Sequence, residues 1–185
     1  IVVVPAANNY LNILNVEEAD KYLHSTDLVL LQLEIPMNVV EFTIKKAKSY
    51  GKLIGLYASP GRPLSNEVIE KVDFIVAKSS ELEIIFGEDQ REKVLKKYHN
   101  KVFIRDETNS TVYFDGTEMK YFRNENESMV YKMGMGDAFT SGFAIVSCHG
   151  ISIEDCVKLG NEVSSKVSLG KGAQTALPRL SELLK

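Results

Sequence analysis

Short apolar runs recur along the chain, and stretches with helical spacing of apolar residues separate them. The runs cover residues 1–4, 28–33, 53–58, 74–77 and 102–104. Over residues 36–50, Val40, Ile44 and Ala47 fall on one face of a predicted helix. Continuous apolar strands that alternate with amphipathic helices are typical of a parallel sheet covered on both sides. We therefore predict an α/β fold with a mostly parallel, Rossmann-like sheet and helices on both faces.

The pattern changes over residues 111–122, where two short β-branched and aromatic runs flank Asp115 and Gly116. An Asp-Gly pair between such runs predicts a β-hairpin. Two further helices follow, and Ser152 is placed to cap the second. No repeat, low-complexity tract or linker interrupts the sequence, so it predicts one domain over residues 1–185. Because Ile1 opens directly on an apolar run, we expect the chain to be trimmed or incomplete.

A glycine-rich turn formed by Gly134, Met135, Gly136 and Asp137, the glycine turn, stands directly ahead of an apolar helical stretch. Its glycines allow backbone amides to approach an anion, and the following helix points the positive end of its dipole at the same place. A carboxylate beside an anion site has an obvious chemical role, which is to take a proton from a hydroxyl that attacks phosphate. The plain structural alternative is a turn in which Asp137 caps the helix.

Other polar residues follow the ends of the predicted strands. Glu34 comes after the run over residues 28–33, and Lys78 and Glu81 come after the run over residues 74–77. Ligands of parallel sheets bind at the carboxyl ends of the strands. We therefore expect these side chains at the functional edge of the sheet.

Composition narrows the function classes. A net charge of -3 argues against a nucleic-acid partner. The apolar runs are too short to cross a bilayer and no signal peptide opens the chain, so we expect no membrane partner. The cysteines form no disulfide framework, which indicates a reducing, cytoplasmic setting. Cys148 and Cys156 form no CxxC pair and the histidines are far apart in sequence, so no zinc site is predicted. Neither a GxGxxG nor a GxxxxGK[ST] motif supports dinucleotide or P-loop binding.

Three motifs together resemble the ribokinase-like (PfkB) carbohydrate kinases: Leu-Gln-Leu-Glu-Ile-Pro from residue 31, the glycine turn with Ala138 and Phe139, and Gly-Lys-Gly-Ala-Gln from residue 170. The resemblance spans essentially the whole chain but matches only the later part of that family, without its opening strands and lid. It implies an ATP-dependent phosphotransferase that uses Mg²⁺ and acts on a primary hydroxyl of a sugar. Because the opening strands and the lid are missing, we expect the 185-residue chain alone to lack sugar kinase activity.

The resemblance also implies roles for individual residues. Asp137 matches the catalytic base, which also contacts substrate, and Gly134, Met135 and Gly136 match the anion hole. Glu34 matches a sugar-binding residue, with an ordinary strand-end carboxylate as the alternative, and Glu81 matches a residue that organises magnesium, with a surface helix charge as the alternative. Asn161 resembles part of the adenine pocket, and a plain polar residue on a half-buried helix is its alternative. The residues expected at the nucleotide are Lys78, Arg105, Asn161, Lys171, Gly172 and Ala173.

Some positions depart from the family pattern. Lys78 replaces the Asn of an Asn-x-x-Glu motif, and Arg105 and Glu107 replace a Thr and a Gly of the nucleotide loop. Two alternatives to a sugar kinase therefore stay open: a nucleoside kinase of the same family, and a non-catalytic relative that acts as a binding protein. The expected partner is a small-molecule sugar or nucleoside. A homodimer is included among the expected assemblies, and the sequence leaves the oligomeric state open.

Overall fold

The computed structural model describes residues 4–123 and 131–183. In this part of the chain, six strands form one sheet in the order β1-β2-β3-β4-β5-β6. β1 to β4 pair in parallel, and β5 and β6 add two antiparallel strands. The strands are β1 (Leu28–Gln32), β2 (Leu53–Tyr57), β3 (Phe74–Lys78), β4 (Val102–Arg105), β5 (Thr111–Phe114) and β6 (Met119–Phe122).

The helices lie largely where the spacing of apolar residues predicts them. They are α1 (Ile13–Glu18), α2 (Asp20–Ser25), α3 (Met37–Ser49), α4 (Asn66–Lys71), α5 (Leu82–Phe86), α6 (Arg91–Lys97), α7 (Met135–Ser147), α8 (Ile153–Val167) and α9 (Leu180–Leu183). Two 3₁₀ turns cover Ala6–Tyr10 and Ser79–Glu81. The predicted cap is confirmed, because the Ser152 side chain accepts a hydrogen bond from the Asp155 amide. The strand predicted over residues 1–4 falls outside the described residues except for Val4, which is exposed and lies in no strand.

Both faces of the sheet are buried, as predicted. Side chains alternate along β3, so that Ile75 joins the core against α3 to α6 while Phe74 and Val76 join the core against α7 and α8. Phe139 of α7 is fully buried in the second core. Burying an apolar side chain of this size contributes about 1.5–3 kcal/mol. The α/β class with a mostly parallel sheet is confirmed.

The predicted hairpin is confirmed in β5 and β6, with Val112 opposite Tyr121. Asp115 closes its turn by accepting hydrogen bonds from the amides of Thr117 and Glu118. The Thr117 hydroxyl and these amides hold the pKa of Asp115 well below its usual range. Gly116 has a φ of 101°, a conformation that glycine adopts without strain.

The carboxyl ends of β1 to β4 meet at one edge of the sheet, here called the carboxyl edge. The register pairs Gln32 with Tyr57 and Lys78 with Arg105, so the last residues of β1 and β2 lie side by side, as do those of β3 and β4. The opposite edge, where these strands begin, is called the amino edge. Within residues 4–123 and 131–183, no helix has both the length and the apolarity that crossing a membrane requires.

Candidate active site

The carboxyl edge carries a cavity of 510 Å³ that opens in front of the first turn of α7. Ends of all four parallel strands contribute to it, and so does the glycine turn. Its other lining residues follow β1, β2 and β4 or precede α7. The lining consists of Gln32, Glu34, Tyr57, Ser59, Lys78, Arg105, Asp106, Glu107, Asn109, Lys132, Met133, Gly134, Met135, Gly136 and Asp137.

The glycine turn opens α7 directly. Gly134 is the N-cap with a φ of 80°, and a Cβ there would lie 2.8 Å from the Ala173 Cβ, so both conformation and space require glycine. The helix begins at Met135, one turn before the apolar stretch. The interpretation of Asp137 as the helix cap is therefore wrong, because Gly134 occupies that position and Asp137 is the third residue of the helix. Amides of the first turn lack partners within the helix and favour an anion.

Asp137 reaches the cavity wall opposite β1, where the Gln32 side-chain amide donates a hydrogen bond to its carboxylate. Partial desolvation by the surrounding protein raises the pKa of Asp137 above its usual value. A hydrogen bond from the backbone amide of Asp137 opposes this increase most strongly, and the cation of Lys78 and the Gln32 hydrogen bond also oppose it, whereas the negative charge of Glu34 adds to it. The carboxylate stays accessible from the cavity. A group in this setting is suited to accept a proton.

Asp137 also lines a second, smaller cavity of 370 Å³. The two cavities share Gln32, Glu34, Tyr57 and Asp137. Three cationic side chains line the larger cavity, namely Lys78, Arg105 and Lys132. Among the described residues that line the smaller cavity there is no cation, and its polar groups include Asn8, Thr140 and Ser141. Asp137 therefore lies at the boundary between a cavity lined by both cations and carboxylates and a smaller cavity without a cation among its described lining residues.

Glu81 lies behind Lys78, outside the lining of either cavity. Its Oε1 is 3.8 Å from the Lys78 Nζ, whereas its Oε2 is buried and has no hydrogen-bond partner. No group of three metal-binding side chains occurs in the part of the chain that the structure describes. Mg²⁺ normally binds through one or two carboxylates, waters and substrate phosphates. The unpartnered oxygen of Glu81 fits such a site, reached through water, with Lys78 as a competing cation.

Arg105 is buried at the end of β4, with 4% of its surface exposed. Its Nη1 donates to the Met135 carbonyl at 2.8 Å, and its Nη2 donates to the Asn109 carbonyl and the Ser164 hydroxyl, each at 3.0 Å. Burial lowers the pKa of Arg105 to about 10, which keeps the side chain cationic at neutral pH. Its nucleotide contact stays a prediction: Nη1 and Nη2 are engaged by the protein, whereas Nε is buried without a hydrogen-bond partner.

The predicted adenine-binding residues lie away from the lining of the larger cavity. Asn161 on α8 accepts a hydrogen bond from the Thr111 hydroxyl at 2.9 Å, and its Nδ2 is buried without a partner. Lys171 and Gly172 are exposed, and Ala173 packs against Gly134. The loop thus joins the glycine turn through Ala173. Its contacts with a nucleotide base stay predictions.

Gln32 and Tyr57 were missed as site residues from the sequence. Gln32 ends β1 and contacts Asp137, and the Tyr57 hydroxyl occupies the space that a Cβ at Gly136 would need. Burial raises the pKa of Tyr57, so its hydroxyl stays protonated. Each is the last residue of a parallel strand. That position was the available signal, because such residues point to the ligand edge.

This arrangement of sheet, glycine turn and carboxylate agrees with comparison to a protein family. Residues 1–180 match the model of the pfkB family carbohydrate kinases. The chain belongs to this family.

Individual relatives support the same assignment. The ribokinase of Lactococcus lactis is 29% identical over 184 residues, which cover 99% of this chain and 61% of that protein. The structure of Arabidopsis thaliana ribokinase complexed with ribose and ATP has the same fold, with a TM-score of 0.83 and 22% identity over 99% of this chain and 63% of that one. Adenosine kinase from Sinorhizobium meliloti is also similar, with a TM-score of 0.69 and 18% identity over 85% of this chain and 54% of that one. The chain thus spans about three fifths of the ribokinases that it matches.

Proposed function

We propose that this single domain carries the nucleotide-binding and catalytic part of an ATP-dependent kinase that phosphorylates a primary hydroxyl of a sugar. The observation that carries the proposal is the position of Asp137, which lines both cavities. Three cations line the larger cavity, whereas no cation occurs among the described residues that line the smaller one. Phosphoryl transfer needs a base at the boundary between the two reactants.

On the phosphate side, the amides of Met135, Gly136 and Asp137 at the start of α7 stabilise charge on the transferring phosphoryl group. These amides are fixed before the substrate arrives, so little reorganisation accompanies the reaction. Lys78 adds a cation at the end of β3, in the lining of the same cavity. As a compact ammonium it neutralises phosphate charge without the directional fork of an arginine.

On the acceptor side, Glu34 binds a hydroxyl of the sugar and Asp137 removes the proton of the attacking hydroxyl. Gln32 orients the Asp137 carboxylate through the hydrogen bond from its amide. General base catalysis of this kind contributes about 10² to 10⁴ in rate. The raised pKa of Asp137 increases the proton affinity of its carboxylate.

Glu81 would hold Mg²⁺ through water with its unpartnered Oε2. When bound, the ion would neutralise charge on the ATP phosphates. Asn161, with its unpartnered Nδ2, and the loop formed by Lys171, Gly172 and Ala173 would hold the nucleotide base.

Ribose is the first acceptor to test, because the curated relatives include ribokinases and one similar structure contains ribose and ATP. The assay measures ADP release by the whole protein that contains this chain, with ribose, deoxyribose or adenosine as acceptor. We expect turnover that depends on ribose or deoxyribose. Turnover with adenosine alone would favour a nucleoside kinase. ATP binding without turnover on any acceptor would favour a non-catalytic relative and overturn the proposal.

A further inference from the structure

The buried guanidinium of Arg105 contacts the glycine turn through the Met135 carbonyl. Two groups donate to the Met135 carbonyl: Arg105 Nη1 at 2.8 Å and the Ser164 hydroxyl at 2.9 Å. The guanidinium also lies over the ring of Phe139, 4.5 Å from its centre, one turn further along α7. Arg105 therefore links β4, α7 and α8 at Met135, within the glycine turn.

The Met135 carbonyl and the Gly136 amide belong to the same peptide group. A trans peptide is planar, and its C=O and N–H point in opposite directions. A donor that holds the carbonyl oxygen therefore also fixes the direction of the N–H on the opposite side of the peptide group. A cation on the oxygen also polarises the peptide, which makes its N–H a stronger donor. The Gly136 amide is one of those that the proposed function assigns to the phosphoryl group.

We propose that Arg105 is a positioning residue for phosphoryl transfer: it orients and polarises the peptide between Met135 and Gly136, and so acts on the phosphate through one peptide group. This inference rests on the proposed function for its consequence in turnover. Its effect on the Gly136 amide is independent of any reaction.

The surroundings of Arg105 distinguish this role from ordinary packing. A buried cation is expensive to desolvate, and apolar residues of similar volume often replace buried charges without loss of stability. Arg105 nevertheless directs two of its hydrogen bonds to carbonyl oxygens, at Met135 and Asn109. Neither partner is a carboxylate that would neutralise the cation. The positive charge consequently remains available to act on the helix start.

The test compares Arg105→Met with a matched control, Lys101→Met. Lys101 precedes the same strand at the amino edge, and its Nζ donates to the carbonyls of Ile69 and Glu70 at 3.0 Å each. Both substitutions remove a cation that binds two carbonyls, but only Arg105 contacts the glycine turn. The readouts are the ¹H shift of the Gly136 amide, its response to ATP, and kcat and KM for ATP in the whole protein.

We expect Arg105→Met to move the Gly136 amide proton upfield and to reduce its response to ATP. We expect kcat to fall by about tenfold to a hundredfold, up to the effect of removing one donor from an oxyanion hole, with a smaller change in KM. Lys101→Met should leave all of these values unchanged. Arg105→Lys keeps the charge and should restore part of the amide shift.

Equal behaviour of Arg105→Met and Lys101→Met would overturn the inference and leave Arg105 with a packing role. If Arg105→Met fails to fold, Ser164→Ala decides the question, because it removes the second donor to Met135 without changing a charge. Ser164→Ala should then move the Gly136 amide in the same direction, and no movement would contradict the inference. Absence of turnover in the unsubstituted protein would overturn the proposed function alone, since the unliganded amide shift does not depend on it.

Discussion

The two edges of the sheet differ in how completely their polar side chains are paired. At the amino edge, Asp73 accepts hydrogen bonds from the Lys48 ammonium at 2.8 Å and from the Ile54 amide at 2.7 Å. At the carboxyl edge, Asp137 is left with a raised pKa, and Glu81 Oε2 is buried without a partner. Paired groups hold a fold together, whereas unpaired groups indicate places where a ligand completes the bonding.

Buried polar atoms without a hydrogen-bond partner add to this contrast. Among the described residues, the buried side-chain atoms without a hydrogen-bond partner belong to Glu81, Arg105 and Asn161. Each of the three is a residue for which the sequence predicted contact with nucleotide or metal. An unsatisfied buried polar atom costs about 1–3 kcal/mol, so three such atoms are a substantial cost to the stability of the fold. We therefore expect a ligand that completes the bonding of these atoms to stabilise the protein.

The largest expected effect is on turnover at the carboxyl edge. Asp137→Asn should reduce kcat of the whole protein by about 10² to 10⁴, because an amide keeps the shape but cannot accept the proton. ATP affinity should stay close to unchanged. Steady-state kinetics and calorimetric titration with ATP measure the two values.

Thermal unfolding supplies the control for this substitution. A carboxyl whose pKa is raised by folding contributes its stability when protonated and loses it as pH rises through the folded pKa. Asp137→Asn should therefore be as stable as the unsubstituted chain at neutral pH, or slightly more so. A fall in kcat that accompanies unfolding, or no fall at all, would contradict a role as the base.

The next largest effect is expected on stability at the amino edge. Asp73→Ala removes the acceptor of the Ile54 amide and the partner of Lys48, and should lower the free energy of unfolding by about 1–3 kcal/mol. Denaturant titration measures the change. Lys48→Met leaves the hydrogen bond from the Ile54 amide to Asp73 intact and should therefore have a smaller effect. Loss of ATP affinity in Asp73→Ala, with the fold intact, would break the division between the two edges.

A smaller effect is expected on the pH dependence of kcat/KM. Activity should rise with pH as Asp137 ionises, and the raised pKa places this rise above the usual range of an aspartate. Glu34→Gln should move the rise to lower pH, because Glu34 raises the pKa of Asp137, and Lys78→Met should move it to higher pH, because Lys78 lowers it. Movement of both variants in the same direction would show that another group controls the profile.

The smallest effect is expected from Lys78→Asn. Removing a cation 3.8 Å from Glu81 should lower the Mg²⁺ concentration needed for half-maximal activity, by about two- to fivefold for a pair this exposed. Lys93→Asn is a matched control, because Lys93 of α6 pairs with Glu88 at 3.3 Å. Neither residue lines the two cavities. Equal Mg²⁺ dependence in both variants would exclude Lys78 as a competitor of the ion.

The sequence predicted much of the sheet because local patterns determine it. Four apolar runs became β1 to β4, and the Asp-Gly pair became the turn between β5 and β6. The glycine turn was recognised for the same reason, since glycine spacing and helical periodicity are local. The start of α7 was placed too late because the glycines on both sides of Met135 have low helix propensity, although Met135 and Gly136 are helical.

The partners of Asp137 could not be predicted from local pattern. Gln32 lies 105 residues away in sequence and meets Asp137 only because α7 packs over the ends of β1 and β2. Strand order decides such contacts, and periodicity carries no information about it. Likewise, Lys78 ends β3 and Glu81 follows it on the 3₁₀ turn, and only Lys78 lines the larger cavity.

The contact between Tyr57 and Gly136 has a consequence for how this chain can change over generations. The tyrosine hydroxyl fills the volume of a side chain at position 136, so an alanine there is compatible only with a shifted or smaller residue at position 57. Side chains at positions 57 and 136 therefore compete for the same limited volume between β2 and α7. In a library randomised at both sites, variants that gain volume at one position will survive when they lose it at the other.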